Sequence, residues 1–117
     1  MTEPGSELSG EDAKLVTLAR GARGRVGAPE GAALRDETGR TYSAATVALA
    51  SLELSAVRLA VAQAAASGAR GLEAVVVVRR TADVEASDLD AVRDLGGVGV
   101  PVHVVGPDGA VLAVSSS

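Results

Sequence analysis

The sequence contains no cysteine, no phenylalanine and no tryptophan, and it has one histidine and one tyrosine. Without cysteine the chain can form no disulfide bond and no thiolate metal site, and it has no cysteine nucleophile. Without large aromatic rings the hydrophobic core has to be built from valine, leucine and alanine. Such small side chains pack densely only when helices and strands approach one another closely. At 117 residues the chain is long enough for one domain with a core of this kind.

The charge balance of the chain is acidic. The 15 Asp and Glu residues outnumber the 11 Lys and Arg residues, which gives a net charge of −4 at pH 7. This balance argues against a general nucleic-acid binder, because contacts with phosphates need clustered, excess Lys and Arg. The N-terminal residues lack the apolar segment of a signal peptide, and no apolar run reaches the length of a membrane span. We therefore expect a cytoplasmic protein that does not enter a membrane, with a flexible tail over 1–9 and one domain over 10–117.

The spacing of apolar residues predicts alternating helices and strands. We expect a helix over 11–22 capped by Ser9, a connector over 24–30, strands over 32–35 and 41–47 around a turn at 36–39, a helix from Ser51 to Ser67, a strand over 72–78, a third helix capped by Ser87, and two strands around a turn at 106–109. The second helix is apolar on two faces, so we expect a sheet to bury one face and a helix or a second subunit to bury the other. The order α-β-β-α-β-α-β-β predicts a layered α/β sandwich with a mixed sheet.

Three short motifs carry a resemblance to a known family. They are Gly31-Ala32-Ala33-Leu34 before the hairpin turn, Thr38-Gly39-Arg40 within it, and Ser55-Ala56-Val57-Arg58 in the second helix. The sequence resembles the cytidine deaminase family, in which the same stretch runs V-G-A-A-L, a D-G-R-type turn, an N-x-E-N strand end and C-A-E-R. The resemblance covers residues 11–114 and implies a cytidine-deaminase-like fold. Larger members of the family continue with a further helix and strand, so the resemblance also implies a C-terminally trimmed version.

The resemblance further implies which residues stand at the positions of the family's zinc site. It puts Ser55 at a metal-ligand position, Val57 at that of the catalytic glutamate and Thr46 at that of a ribose-contacting asparagine, while Arg58 matches the family. The family's P-C-x-x-C segment opens the third helix, where this chain has residues 85–91 without Pro or Cys. A zinc deaminase needs three His or Cys ligands, a metal-bound water and a glutamate that moves protons. We therefore expect no metal, no cofactor and no catalytic residue, with Thr46, Ser55, Val57 and Arg58 lining a remnant pocket for a nucleoside-like small molecule.

Three functions are compatible with these residues. The first is a catalytically inactive binding or assembly module that forms a homodimer or homotetramer, because the resemblance makes the second helix the oligomer-forming helix. Its other partner would be a nucleoside-like small molecule or a protein. The second is a cytidine or nucleoside deaminase with residual or non-standard activity. The third is an RNA- or ribosome-associated accessory protein that uses Arg20, Arg23 and Arg25. Those arginines lack interleaved aromatic residues on which bases could stack, and they also suit the C-terminal end of a helix.

Two further groups of polar residues receive structural interpretations. Asp88, Asp90 and Asp94 lie within two turns of the third helix, and we interpret them as a solvated acidic face rather than a cation site. His103 alternates with its valine neighbours along a strand, so it should point to the opposite face of the sheet and lie partly buried. As the only histidine it has no second imidazole with which to share a metal ion.

Overall fold

The structure is a computed structural model that describes residues 8–117. The helices are α1 (Gly10–Val26), α2 (Ala56–Ala66) and α3 (Ala86–Gly96). The strands are β1 (Gly31–Asp36), β2 (Thr41–Ala45), β3 (Val47–Ala48), β4 (Glu53–Leu54), β5 (Leu72–Val78), β6 (Pro101–Val105) and β7 (Val111–Ser116). Most of the predicted tail over 1–9 lies outside the described residues.

Five strands form one mixed sheet in the order β2-β1-β5-β6-β7. β5 and β6 run parallel, whereas the other neighbouring pairs are antiparallel. α1 packs on one face of the sheet, and α2 and α3 pack on the other. This arrangement confirms the predicted layered α/β sandwich. None of the three described helices combines the length and the hydropathy that a membrane crossing requires.

β5 carries the centre of the core. Val75 and Val77 belong to the cluster under α2 and α3, whereas Val76 and Val78 belong to the cluster under α1. All four side chains are at most 1% exposed. Because both faces of the strand are covered, it is a continuous apolar run in the sequence, as predicted.

α1 and β1 approach each other with no side chain between them at one point. Gly31 opens β1, and a Cβ atom placed there would lie 2.1 Å from the carbonyl oxygen of Ala19.

Both ends of α1 are capped. The helix extends about one turn beyond its predicted end and ends at Gly27, whose φ of 63° lies in the left-handed region that favours glycine. The predicted N-cap is confirmed, because the Ser9 hydroxyl accepts a hydrogen bond from the backbone N–H of Asp12.

The start of α2 corrects the prediction. The sequence suggested that Ser51 caps this helix, but Ser55 is the cap, and its hydroxyl accepts a hydrogen bond of 3.1 Å from the backbone N–H of Arg58. The residues before the helix form β4 instead, which pairs with β3 in a small two-stranded ribbon. This pairing satisfies backbone groups that an extra helical turn would otherwise satisfy.

The contacts of α2 agree with the prediction that two of its faces are buried. α2 packs on strands β1 and β2 of the sheet and on α3. Within the described residues, its second apolar face is therefore covered by a helix, which is one of the two predicted alternatives.

α3 begins after Glu85, which occupies the N-cap position without a side-chain capping bond. Ser87, the predicted cap, lies inside the helix, because the extended backbone ends at Glu85 and helical geometry starts immediately afterwards.

Asp36 organises the turn between β1 and β2. Its buried carboxylate accepts hydrogen bonds from the Thr38 hydroxyl (2.7 Å), the Thr38 and Arg40 backbone N–H groups (2.9 and 3.0 Å) and the Tyr42 hydroxyl (2.9 Å). Burial alone would raise the pKa of Asp36, but these hydrogen bonds outweigh it and hold the pKa below its usual value. The turn is therefore most stable above a pH of about 4 and loses this contribution as the pH falls through the lowered pKa.

His103 lies on the α1 side of the sheet, as the alternation along β6 predicts. Its side chain is 12% exposed, and its Nε2 lies 3.5 Å from Asp12 Oδ2. Asp12 also accepts a hydrogen bond of 3.0 Å from Arg35 on β1. These contacts attach the N-terminal end of α1 to the central strands.

Candidate functional site

The N-termini of α2 and α3 meet at one point, where a hydrogen bond joins them. The Ser55 hydroxyl donates to Asp88 Oδ1 over 2.6 Å while it accepts from the Arg58 N–H. Asp88 lies in the first turn of α3 and is 2% exposed. The two side chains therefore satisfy each other between the helices, and we call this pair the Ser55–Asp88 junction.

The prediction that Asp88 belongs to a solvated acidic face of α3 is wrong. Asp88 is buried because it turns toward the Ser55 hydroxyl, whereas Asp90 and Asp94 remain exposed and Asp90 pairs with Arg93 at 3.1 Å. One signal could have singled out Asp88. Glu85 and Asp88 stand three residues apart at the opening of the helix, which is the spacing of the cysteine pair that the resemblance implies there.

A cleft of about 380 Å³ opens beside the junction. Thr46, Ser55 and Arg58 line it, so the structure brings together three of the four residues proposed for a remnant pocket. Val57 is not among its lining residues, and its side chain is 0% exposed in the core between α2 and the sheet. Ser55 caps α2 at the cleft, whereas Val57 in the first turn packs into the core, so the two residues do not line one pocket.

Thr46 is tied to the backbone of Glu30 at the edge of this cleft. The Thr46 hydroxyl accepts from the Glu30 N–H (3.2 Å) and donates to the Glu30 carbonyl oxygen (3.3 Å), and the Thr46 N–H donates to the same oxygen (3.1 Å). The threonine therefore fixes the segment that precedes β1. It leaves little hydrogen-bonding capacity for a ligand.

Carboxylates dominate the electrostatics of the cleft. Glu30, Glu53 and Glu85 all line it. Burial raises the pKa of Glu30, and the negative charges of Asp88 and Glu85 add to the rise, while the Arg79 guanidinium 3.1 Å away opposes it. The cleft beside the junction is therefore acidic.

The residues at this position do not fit a zinc ion. A protein zinc site takes three or four Cys, His or carboxylate ligands, and a serine hydroxyl is not deprotonated near neutral pH. The carboxylate of Asp88 is engaged by the hydroxyl of Ser55 at 2.6 Å. Across residues 8–117, no three His, Cys, Asp or Glu side chains are grouped so that they could hold a metal ion.

The three arginines of α1 differ in their surroundings. Arg23 turns toward the loop after the helix, where its Nε donates to the Pro29 carbonyl oxygen over 3.2 Å. Arg20 lies beside Gly109 in the turn between β6 and β7, and Arg25 is exposed on the last helical turn. Each of the three guanidinium groups therefore has a different neighbour.

The layered fold, with the first turns of α2 and α3 joined at one point, defines an α/β domain of the cytidine deaminase class. The sequence profile of the family described as "Cytidine deaminase-like" matches residues 8–109. The chain therefore belongs to this family. No curated protein gives a significant match.

Several solved structures are similar to this chain. The cytidine deaminase from Burkholderia pseudomallei is 26% identical over 93% of each chain, with a TM-score of 0.79. The cytidine deaminase from Mycobacterium leprae is 23% identical over 93% of this chain and 94% of that chain, with a TM-score of 0.72. The cytidine deaminase from Mycobacterium tuberculosis is 22% identical over 76% and 80%, with a TM-score of 0.66. The two mycobacterial likenesses support the fold alone.

Proposed function

We propose that this chain is a catalytically inactive member of its family that works as an assembly module. The Ser55–Asp88 junction carries this proposal. The residue at the metal-ligand position is a serine, and its hydroxyl donates to a carboxylate of the helix that carries the other ligands in the family. Val57, at the position of the catalytic glutamate, has no group that could transfer a proton.

The junction has a structural role that explains why these residues suit an inactive protein. Ser55 caps α2, and Asp88 places a negative charge in the first turn of α3, where the helix dipole favours it. A hydrogen bond to a charged group contributes about 1.5–3 kcal/mol to stability. The position that resembles a metal site thus stabilises the contact between two helices.

The purified protein is expected to release no ammonia from cytidine and to hold no stoichiometric zinc after dialysis. The physical reason is the missing ligand set together with the missing proton-transfer group. Ammonia release and metal content are measured side by side with the Burkholderia pseudomallei cytidine deaminase as the active control. Deamination above the no-enzyme blank, or one zinc ion per chain, would show that the proposal is wrong.

The assembly part of the proposal is supported by the edge strand β7. In the described part of the chain β7 pairs with β6 alone, so its other edge offers unpaired backbone groups. Leu112 and Val114 on this strand are 43% and 46% exposed. An exposed apolar edge strand favours pairing with another chain. We therefore propose that β7 of a second copy covers it and that the protein is a homodimer.

Sedimentation at micromolar concentration is expected to give a dimer, and the double variant Leu112→Lys, Val114→Lys is expected to give a monomer. Charged side chains on an edge strand prevent edge-to-edge pairing. Leu49→Lys is the control, because this equally apolar residue is 63% exposed but lies outside β7. A wild-type monomer, or a double variant that stays dimeric, would contradict the assembly through β7.

The alternative function is a nucleoside deaminase that works in a non-standard way. Two observations favour it. The similar protein from Burkholderia pseudomallei is a cytidine deaminase, and the cleft beside the junction is open and carries three carboxylates that could exchange protons. The ammonia assay separates this alternative from the inactive module.

A further inference from the structure

A second pocket shares Glu30 with the cleft but differs from it in charge. It has a volume of about 480 Å³ and lies between the C-terminal end of α1, the loop before β1 and the segment after β5. Arg23, Arg79 and Arg80 line it, against the single carboxylate of Glu30. Three guanidinium groups facing one carboxylate make the pocket positive, although the chain as a whole carries a net charge of −4. We call it the arginine pocket.

Arg79 forms a fixed wall of the arginine pocket. Its Nε lies 3.1 Å from Glu30 Oε2, and its Nη1 donates to the carbonyl oxygen of Asp83 over 2.6 Å. The side chain is 14% exposed. Because Glu30 balances its charge and two acceptors hold it, Arg79 shapes the pocket without supplying the excess positive charge.

Arg23 and Arg80 supply that excess charge. The bond from Arg23 Nε to the Pro29 carbonyl oxygen orients its guanidinium, and the two terminal nitrogens have no hydrogen-bond acceptor within residues 8–117. Arg80 has no ion-pair partner within the same range and is exposed. Two guanidinium groups with unused donors on one concave surface suit a phosphate group, because the fork of N–H donors on each can bind phosphate oxygens.

The C-terminal end of α1 opposes an anion here only in part, because Arg23 and Arg25 in its last turn carry full positive charges. The C-terminal end of a helix is ordinarily negative because its last carbonyl groups lack partners. In α1 the carbonyl oxygen of Arg23 accepts from the N–H groups of both Gly27 and Ala28.

The position of the pocket in the sheet also suits a ligand. The pocket lies past the carboxyl end of β5, which pairs in parallel with β6, and α/β sheets bind ligands at this edge.

We propose that the arginine pocket binds the phosphate group of a small molecule, with Arg23 and Arg80 making the contacts. The organic part of the ligand extends past Glu30 into the cleft beside the junction, since Glu30 lines both spaces. A concave pocket suits a small ligand. A nucleic acid would need further basic residues around the pocket, but Arg20 does not line it and lies beside Gly109. The proposal holds whether or not the chain is catalytic.

Titration with inorganic phosphate at constant ionic strength is expected to give saturable amide NMR shifts in residues 27–30 and 79–81. Arg80→Ala and Arg23→Ala should each weaken phosphate binding by about tenfold or more, because each removes charge-assisted hydrogen bonds. Arg70→Ala is the matched control, since Arg70 is exposed and does not line the pocket. It should bind phosphate like the wild type. Urea unfolding of each variant checks that the fold is unchanged.

Three outcomes would overturn the proposal. Phosphate could give no saturable shifts in either segment. Arg70→Ala could weaken phosphate binding as much as Arg80→Ala does, which would show an effect of net charge alone. A single-stranded RNA oligonucleotide could saturate these residues while inorganic phosphate does not, which would assign the arginines to a nucleic acid instead.

Discussion

Replacing Gly31 by Ala is expected to destabilise the protein by about 3 kcal/mol and to lower its Tm by about 10 °C. The new Cβ would lie 2.1 Å from the carbonyl oxygen of Ala19 and 2.8 Å from the Cβ of Arg23. The first of these atoms belongs to the helix backbone and cannot rotate away. The clash is therefore relieved only if α1 moves off the sheet, which would loosen the packing around Leu15 and Ala19, both 0% exposed.

Gly24→Ala is the matched control for this prediction. Gly24 lies within α1, and no atom comes within 4 Å of a Cβ placed there, apart from the helix's own backbone. Alanine is the better helix former, so this variant should be more stable than the wild type by about 0.5–1 kcal/mol. Urea unfolding at pH 7 measures both changes. If Gly31→Ala unfolds like the wild type, α1 does not lie against β1 as closely as described.

The fold was predictable where local patterns decide it. The continuous apolar run of β5 and the turn at Asp36 each occupy a few consecutive residues, and both agree with the prediction. The start of α2 was not predictable in this way. Ser51 and Ser55 are both good N-cap residues, and the pairing of β3 with β4 selects Ser55.

The candidate site was predictable only in part, because its residues meet through long-range contacts. The motif resemblance identified Ser55 and Arg58, which lie close together in the chain. Asp88 was missed because its partner Ser55 lies 33 residues away, so its burial depends on the packing of α2 against α3. The arginine pocket was missed for the same reason, since Arg23 and Arg80 come from distant segments that the sheet brings together.

Val57→Glu, which restores the residue type of the family's catalytic position, is expected to destabilise the protein by about 4 kcal/mol and to produce no deaminase activity. Val57 is 0% exposed and packs in the core under α2 and α3. A carboxylate at this place has neither water nor a cation to stabilise its charge. Restoring one residue therefore disrupts the packing without supplying the missing zinc ligands.

The pH dependence distinguishes a buried carboxylate from a simple loss of packing. Burial raises the pKa of the new glutamate above its unfolded value of about 4.3, so the folded variant favours the protonated form. Its stability deficit relative to the wild type should then be smaller at pH 5 than at pH 8. Ala62→Glu, on the exposed part of α2, is the control and should stay within about 0.5 kcal/mol of the wild type. If Val57→Glu is as stable as Ala62→Glu at both pH values, position 57 is open to solvent, and the cleft beside the junction could then accommodate a catalytic group.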